Sequence, residues 1–188
     1  MDPAPSEPIT TTTQVPPGHY TSRRGALLVL VLTTFTGLAL QYWYWTRLPT
    51  RVATHFGAAG KPDGWMDKSS AAALTILLQV GLPLLLIGIT AATRYLPPQL
   101  VNIPHRQYWL SAPHREATLA YLNRMIAWIA VLYALFFIAL NQLTFMANIN
   151  GTGLDMTWFL TMLISFLTSL FTLVGFILMR FKKPAAVN

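Results

Sequence analysis

His55, Asp63 and Asp67 lie in one connection between two apolar runs, and Asp155 sits in another connection on the same side. An imidazole among carboxylates has two chemistries: it can help to hold a divalent cation, or be poised for acid–base work. The surrounding run is Leu48-Pro49-Thr50-Arg51-Val52-Ala53-Thr54-His55-Phe56, then Gly57-Ala58-Ala59-Gly60-Lys61-Pro62-Asp63-Gly64-Trp65-Met66-Asp67-Lys68. Alternation of Val52, Thr54 and Phe56 predicts a short extended piece. Gly60-Lys61-Pro62-Asp63-Gly64 is turn chemistry, with Pro and Asp setting the bend and Gly accepting positive φ. A small structured hairpin is therefore expected, with His55, Asp63, Gly64, Trp65 and Asp67 as candidate binding residues. The plainer alternative is that Asp63 bonds its own turn while His55 packs over it. No H-E-x-x-H spacing is present, so His55 and Asp63 are weak metal candidates and the metal is unknown. Asp67 or Ser69 is placed to cap the next helix.

A second chemically varied stretch runs from Pro97 to Tyr121, with Ile103-Pro104-His105-Arg106 followed by Ala112-Pro113-His114-Arg115. Pro113 suits the first turn of a helix starting near Ala112. Here Asn102, His105, Arg106, Tyr108, Trp109 and Arg115 are candidate lipid or partner contacts. Trp109 and Leu110 are expected to dip into the interface while Arg106 and Arg115 meet phosphates. There is no nucleophile elbow, P-loop or dinucleotide fingerprint. The Asn150-Gly151-Thr152 sequon reads as incidental.

Four apolar runs position these stretches: roughly 25–45, 71–93, 122–145 and 157–179. Each approaches the ~20 residues a helix needs to cross a bilayer, and open strands cannot do so. Composition agrees, with 54% hydrophobic residues and 10% charged, against about 25% charged in soluble domains. The fold class is thus all-α integral membrane, a four-transmembrane-helix bundle with a small structured extracytoplasmic hairpin between helices 1 and 2. The Pro- and Thr-rich residues 1–22 predict a disordered cytoplasmic tail, residues 23–183 one membrane domain, and 184–188 a short C-terminal tail. Ser22-Arg23-Arg24 resembles a twin-arginine export signal, but the apolar run continues into an aromatic belt, so an uncleaved anchor is expected.

Nine basic residues flank one side of this bundle and four the other, which predicts cytoplasmic N- and C-termini in an inner membrane. The net charge of +7 therefore suits anionic headgroups rather than nucleic acid. Cysteine is absent, which excludes disulfides and thiolate chemistry.

Small and polar residues recur along each run: Thr33, Gly37 and Gln41; Thr75, Gln79 and Pro83; Asn123, Ala127, Ala130, Ala134 and Asn141; and Thr157, Thr161, Ser165, Thr168, Thr172 and Gly175. These are the expected helix–helix seams. Pro83 removes a hydrogen bond to the Gln79 carbonyl, predicting a kink. Apart from Arg124 near a border, no span carries an ionisable acid, base or His, which argues against an ion-coupled transporter.

The first connection, together with Asn102-Ile103-Pro104-His105-Arg106-Gln107-Tyr108-Trp109-Leu110, resembles a prokaryotic membrane family, domain of unknown function 1648, over roughly residues 25–145. The resemblance implies kinship with SdpI-type proteins, which protect producer cells from a secreted peptide toxin and relay its presence to a repressor. Their further membrane region is expected to be absent or much reduced here, and no catalytic residue is implied. The leading expectation is a non-enzymatic membrane protein that senses or binds something, such as a peptide, at the hairpin. The alternatives are an accessory subunit of a larger membrane complex and a metal-dependent membrane enzyme. No cofactor is expected, and the lipid bilayer and other membrane proteins are the expected partners.

Overall fold

The computed structural model describes residues 23–182. The tails expected at 1–22 and 184–188 lie outside the described residues. Four helices are long and apolar enough to cross a membrane: α1 (Arg23–Trp45), α2 (Lys68–Tyr95), α4 (Ala112–Asn150) and α5 (Met156–Arg180). A two-stranded antiparallel sheet, β1 (Arg51–Phe56) and β2 (Pro62–Asp67), joins α1 to α2. A short helix α3 (Arg106–Trp109) lies in the connection between α2 and α4. The protein is a four-helix membrane bundle with one hairpin.

The centre of the bundle is α4, on which α1, α2 and α5 all pack. Its Ala127, Ala130 and Ala134 are fully buried, and their small side chains let α1 approach closely. From α1, Ala26, Leu30, Thr33, Gly37 and Gln41 turn inward, a spacing of three and four that keeps one face on the partner. Leu30, Ala130, Val131 and Ala134 form the mid-bundle core, with Leu86 and Ile87 added from α2. Large apolar residues such as Leu32, Phe35, Leu84, Ile89 and Phe171 are exposed. In water such a surface would aggregate; in lipid it faces its solvent. With 39 residues, α4 is about 58 Å long and extends well past the ~30 Å hydrocarbon layer.

Two expectations about the helices change. Where the sequence predicts a kink at Pro83, the structure has one π-helical turn, Leu77–Gly81, just before it. Widening the turn is another way to accommodate a carbonyl that has lost its donor. The Tyr133 hydroxyl donates to the Leu78 carbonyl at 3.1 Å, supplying a partner within this turn. The second change is in α5, whose Thr157, Thr161, Ser165, Thr168 and Thr172 are exposed, with no residue of the helix fully buried. It packs instead through half-buried bulk, with Phe166 stacked on Phe136 at 4.4 Å. Its hydroxyls need no second helix: Thr161, Ser165, Ser169 and Thr172 donate to carbonyls four residues back, each at 2.8 Å, an alternative available to Ser and Thr in helices.

The hairpin forms where expected, but its bend lies earlier. Gly60 N–H donates to Gly57 O, and Gly57 N–H to Lys61 O, both at 2.8 Å. Gly60 carries the positive φ of 74°, whereas Pro62, Asp63 and Gly64 belong to β2. Pro at the first position of a strand loses no ladder bond that the sheet requires. Leu48, Val52, Ala71 and Phe145 bury the foot of the hairpin against α2 and α4.

Candidate functional site: a hairpin-roofed cavity

Within the hairpin, His55 pairs across the strands with Gly64 at an irregularity in the register. A Cβ on Gly64 would stand 2.9 Å from the His55 Cβ, so glycine is what lets the imidazole lie over β2. There its Nδ1 meets Asp63 Oδ1 at 2.5 Å, with both side chains largely exposed. The other expected members of the cluster stay apart. Asp67 pairs with Arg51 at the far end of the ladder and stands at the N-cap of α2 without a side-chain bond. Asp155 caps α5, accepting from the N–H groups of Thr157 and Trp158 at 3.0 and 3.1 Å. Among the described residues, no three His, Cys, Asp or Glu side chains converge. Trp65 is half-exposed, across the ladder from Ala53.

Two contacts that the sequence reading missed seal the hairpin to the bundle. The Asn148 carboxamide acts as a short third strand: its Oδ1 accepts from Ala53 N–H at 2.7 Å and its Nδ2 donates to Ala53 O at 3.0 Å. Leu154 N–H donates to Gly60 O at 2.8 Å, where a Cβ on Gly60 would overlap the Leu154 carbonyl. An asparagine at the border of an apolar run was the available signal for the first. The second is a backbone contact, which no side-chain pattern announces.

Beneath this roof lies a cavity of about 390 Å³, within the ~300–1,000 Å³ usual for small-molecule sites. Its roof is His55, Phe56 and Gly57, and its walls include Leu74, Leu78, Phe137, Leu140 and Phe159. Thr54, Thr75, Asn141 and Thr144 are its polar lining. These four also bound an adjoining space of about 30 Å³ that reaches Gln41. Beyond that, about 10 Å³ remains between Gly37, Gln41, Gln79, Asn141 and Gln142. Gln41 donates through Nε2 to Ala72 O at 3.0 Å, and Gln142 to the Tyr44 hydroxyl at 2.7 Å. Gln41 Oε1 and Gln79 Nε2 are buried without partners among the described residues.

The expected contacts at the other end of the bundle are arranged differently. Arg106 donates to Gln99 O at 3.0 Å, and Arg115 to Arg94 O and Leu96 O at 3.2 and 2.9 Å. Both guanidinium groups thus pin loop carbonyls, each through a single nitrogen. Leu110 is buried with Val101 and Leu119. Trp109 lies edge-on to Phe181, with Arg180 over its ring at 4.4 Å. Tyr108 stacks on His114 at 4.4 Å. His105 holds a left-handed φ of 51° at the start of α3, and Asn102 is exposed. These residues form a packed plug that ties the loop to α4 and α5.

Fold and site together define a four-helix membrane protein with a cavity under its hairpin that adjoins a cluster of amide side chains. Residues 28–80, from α1 through the hairpin into the π-helical turn, match the family model described as Domain of unknown function (DUF1648), so the resemblance read from the first connection holds over that segment. The motif at 102–110 lies outside the matched residues. An uncharacterized protein of Archaeoglobus fulgidus is 27% identical over 147 residues, covering 68% of this chain and 78% of its own length. No solved structure matches the chain.

Proposed function

We propose that this is a non-enzymatic ligand-binding protein of the SdpI-related type, residing in the cytoplasmic membrane with both termini in the cytoplasm. The observation that carries the reading is the half-open cavity of about 390 Å³ bordered by the hairpin. His55 is its one ionisable lining residue and sits at the roof, an arrangement suited to holding an apolar molecule rather than to proton transfer along its length. Toxin immunity or sensing is the role that the family resemblance supports, with the hairpin as the receiving surface. The nine-to-four distribution of basic residues supports the orientation.

Native mass spectrometry of protein released from mild detergent tests the binding reading. Wild-type protein should carry a small-molecule adduct, and Thr75→Phe, which fills the cavity, should lose it. Equal adducts in both proteins, or none in either, would count against it. A second reading, as an accessory subunit, draws on α5. Its hydroxyl stripe faces outward and borders a groove with Trp128 and Leu132 of α4. Stoichiometric co-purification of another membrane protein, lost when Thr168 and Thr172 become Leu, would favour that reading.

A further inference from the structure

The amides at membrane depth say more about the ligand than the roof does. Buried polar groups normally find partners, and an orphaned one costs about 1–3 kcal/mol. Here Gln41 and Gln79 are 7% and 1% exposed, yet an acceptor on one and a donor on the other go unused. Asn141 bounds all three adjoining spaces, and its carboxamide makes no hydrogen bond among the described residues. The backbone is shaped around the same point. The π-helical turn is centred on Gln79, and such turns are frequent at functional sites. Across from it, any side chain on Gly37 would collide with the Gln79 carboxamide.

We propose that the cavity selects an uncharged amphiphile, an apolar chain ending in a hydroxyl or carboxamide, whose polar end is received by Asn141 and Gln41. The proposal rests on the cavity being a ligand site. A hydroxyl or carboxamide both donates and accepts, so it matches amides that offer both functions. An ammonium end would be desolvated against walls without an acidic group. The two basic groups bordering these spaces are already engaged, His55 by Asp63 and Lys68 by the Trp45 and Leu48 carbonyls, so a carboxylate would have to displace those partners. The innermost 10 Å³ is room for a single water, which would accept from Gln79 Nε2 and donate to Gln41 Oε1. The polar end of the ligand therefore stops short of Gln79.

The test uses the whole protein in phosphatidylcholine nanodiscs with photoreactive diazirine analogues of dodecanol, dodecanoate and dodecane, cross-linked sites being mapped by mass spectrometry. The dodecanol probe should label cavity residues such as Phe56 and Phe159 about tenfold more than the other two. Excess dodecanol or dodecanamide should compete. Asn141→Leu and, separately, Gln41→Leu should each reduce this labelling severalfold, while Gly88→Ala, at a site with open space around it, should not. Two variants guard against a folding defect in one, and monodispersity on gel filtration checks both. Equal labelling by dodecane, or labelling indifferent to both amide variants, overturns the polar-end proposal while leaving the cavity a ligand site. Equal labelling by dodecanoate overturns the selection against charge. Cavity residues labelled by no probe would sink the ligand-site reading and this proposal with it.

Discussion

Gln79 sits almost fully enclosed, and its amide donor has no protein partner among the described residues, which leaves it to the single water proposed for the innermost space. Replacing it with Met, of similar length and without the polar atoms, removes the donor that this water satisfies. Gln79→Met should therefore lower stability by about 0.5–1.5 kcal/mol and the Tm in detergent by about 1–4 °C, with little change in dodecanol labelling. A higher Tm would show that the amide is unsatisfied and that no water sits beside it. Gly60 and Gly151 offer a second comparison, since both have positive φ, 74° and 62°. Gly151 has open space around it, whereas a Cβ at Gly60 would overlap the Leu154 carbonyl. Gly151→Ala should cost about 1 kcal/mol from backbone strain alone. Gly60→Ala should cost at least about 2 kcal/mol as overpacking adds to strain, readable as a larger drop in Tm.

At the scale of elements, the hairpin is the part whose stability depends on a distant residue. Asn148→Leu leaves both Ala53 backbone groups without their side-chain partner. It should cost about 1–3 kcal/mol and speed amide hydrogen exchange at Ala53, with little change in mid-α4 exchange. The sequence made the hairpin legible because strand alternation and turn residues are local signals. It misplaced the bend because Pro62, Asp63 and Gly64 suit a turn as well as a bulged edge strand. What decides between them is the docking of Gly60 on Leu154, far away in the chain. The same limit explains α5. A stripe of Thr and Ser has the spacing of a packing seam, but hydroxyls that satisfy themselves within their own helix can face either way. On α1 and α4, Gly37, Ala127 and Ala130 cannot satisfy anything and gain only by close approach, so their seams were readable.

For the whole molecule, the bundle was legible from length and polarity, whereas the cavity was not, because it is a volume left between elements. The His55–Asp63 pair could be anticipated from the turn, but not the separation of Asp67 and Asp155, which follows from strand register and a helix cap. Orientation is open to direct measurement, since the chain has no cysteine. With both termini cytoplasmic, Ala59→Cys should react with a membrane-impermeant maleimide on intact cells, and Gln99→Cys only after permeabilisation. The reverse pattern would invert the topology.

Asn148 closes on Ala53 across a separation of 95 residues. A ribosome adding about 5–20 residues per second takes roughly 5–20 s to make that interval. Throughout that time the strands exist while the clamp that seals them does not, and Leu154, which holds the bend, is made later still. The hairpin is thus sealed to the bundle only once α4 is complete, and the cavity beside it gains its Phe159 wall later still.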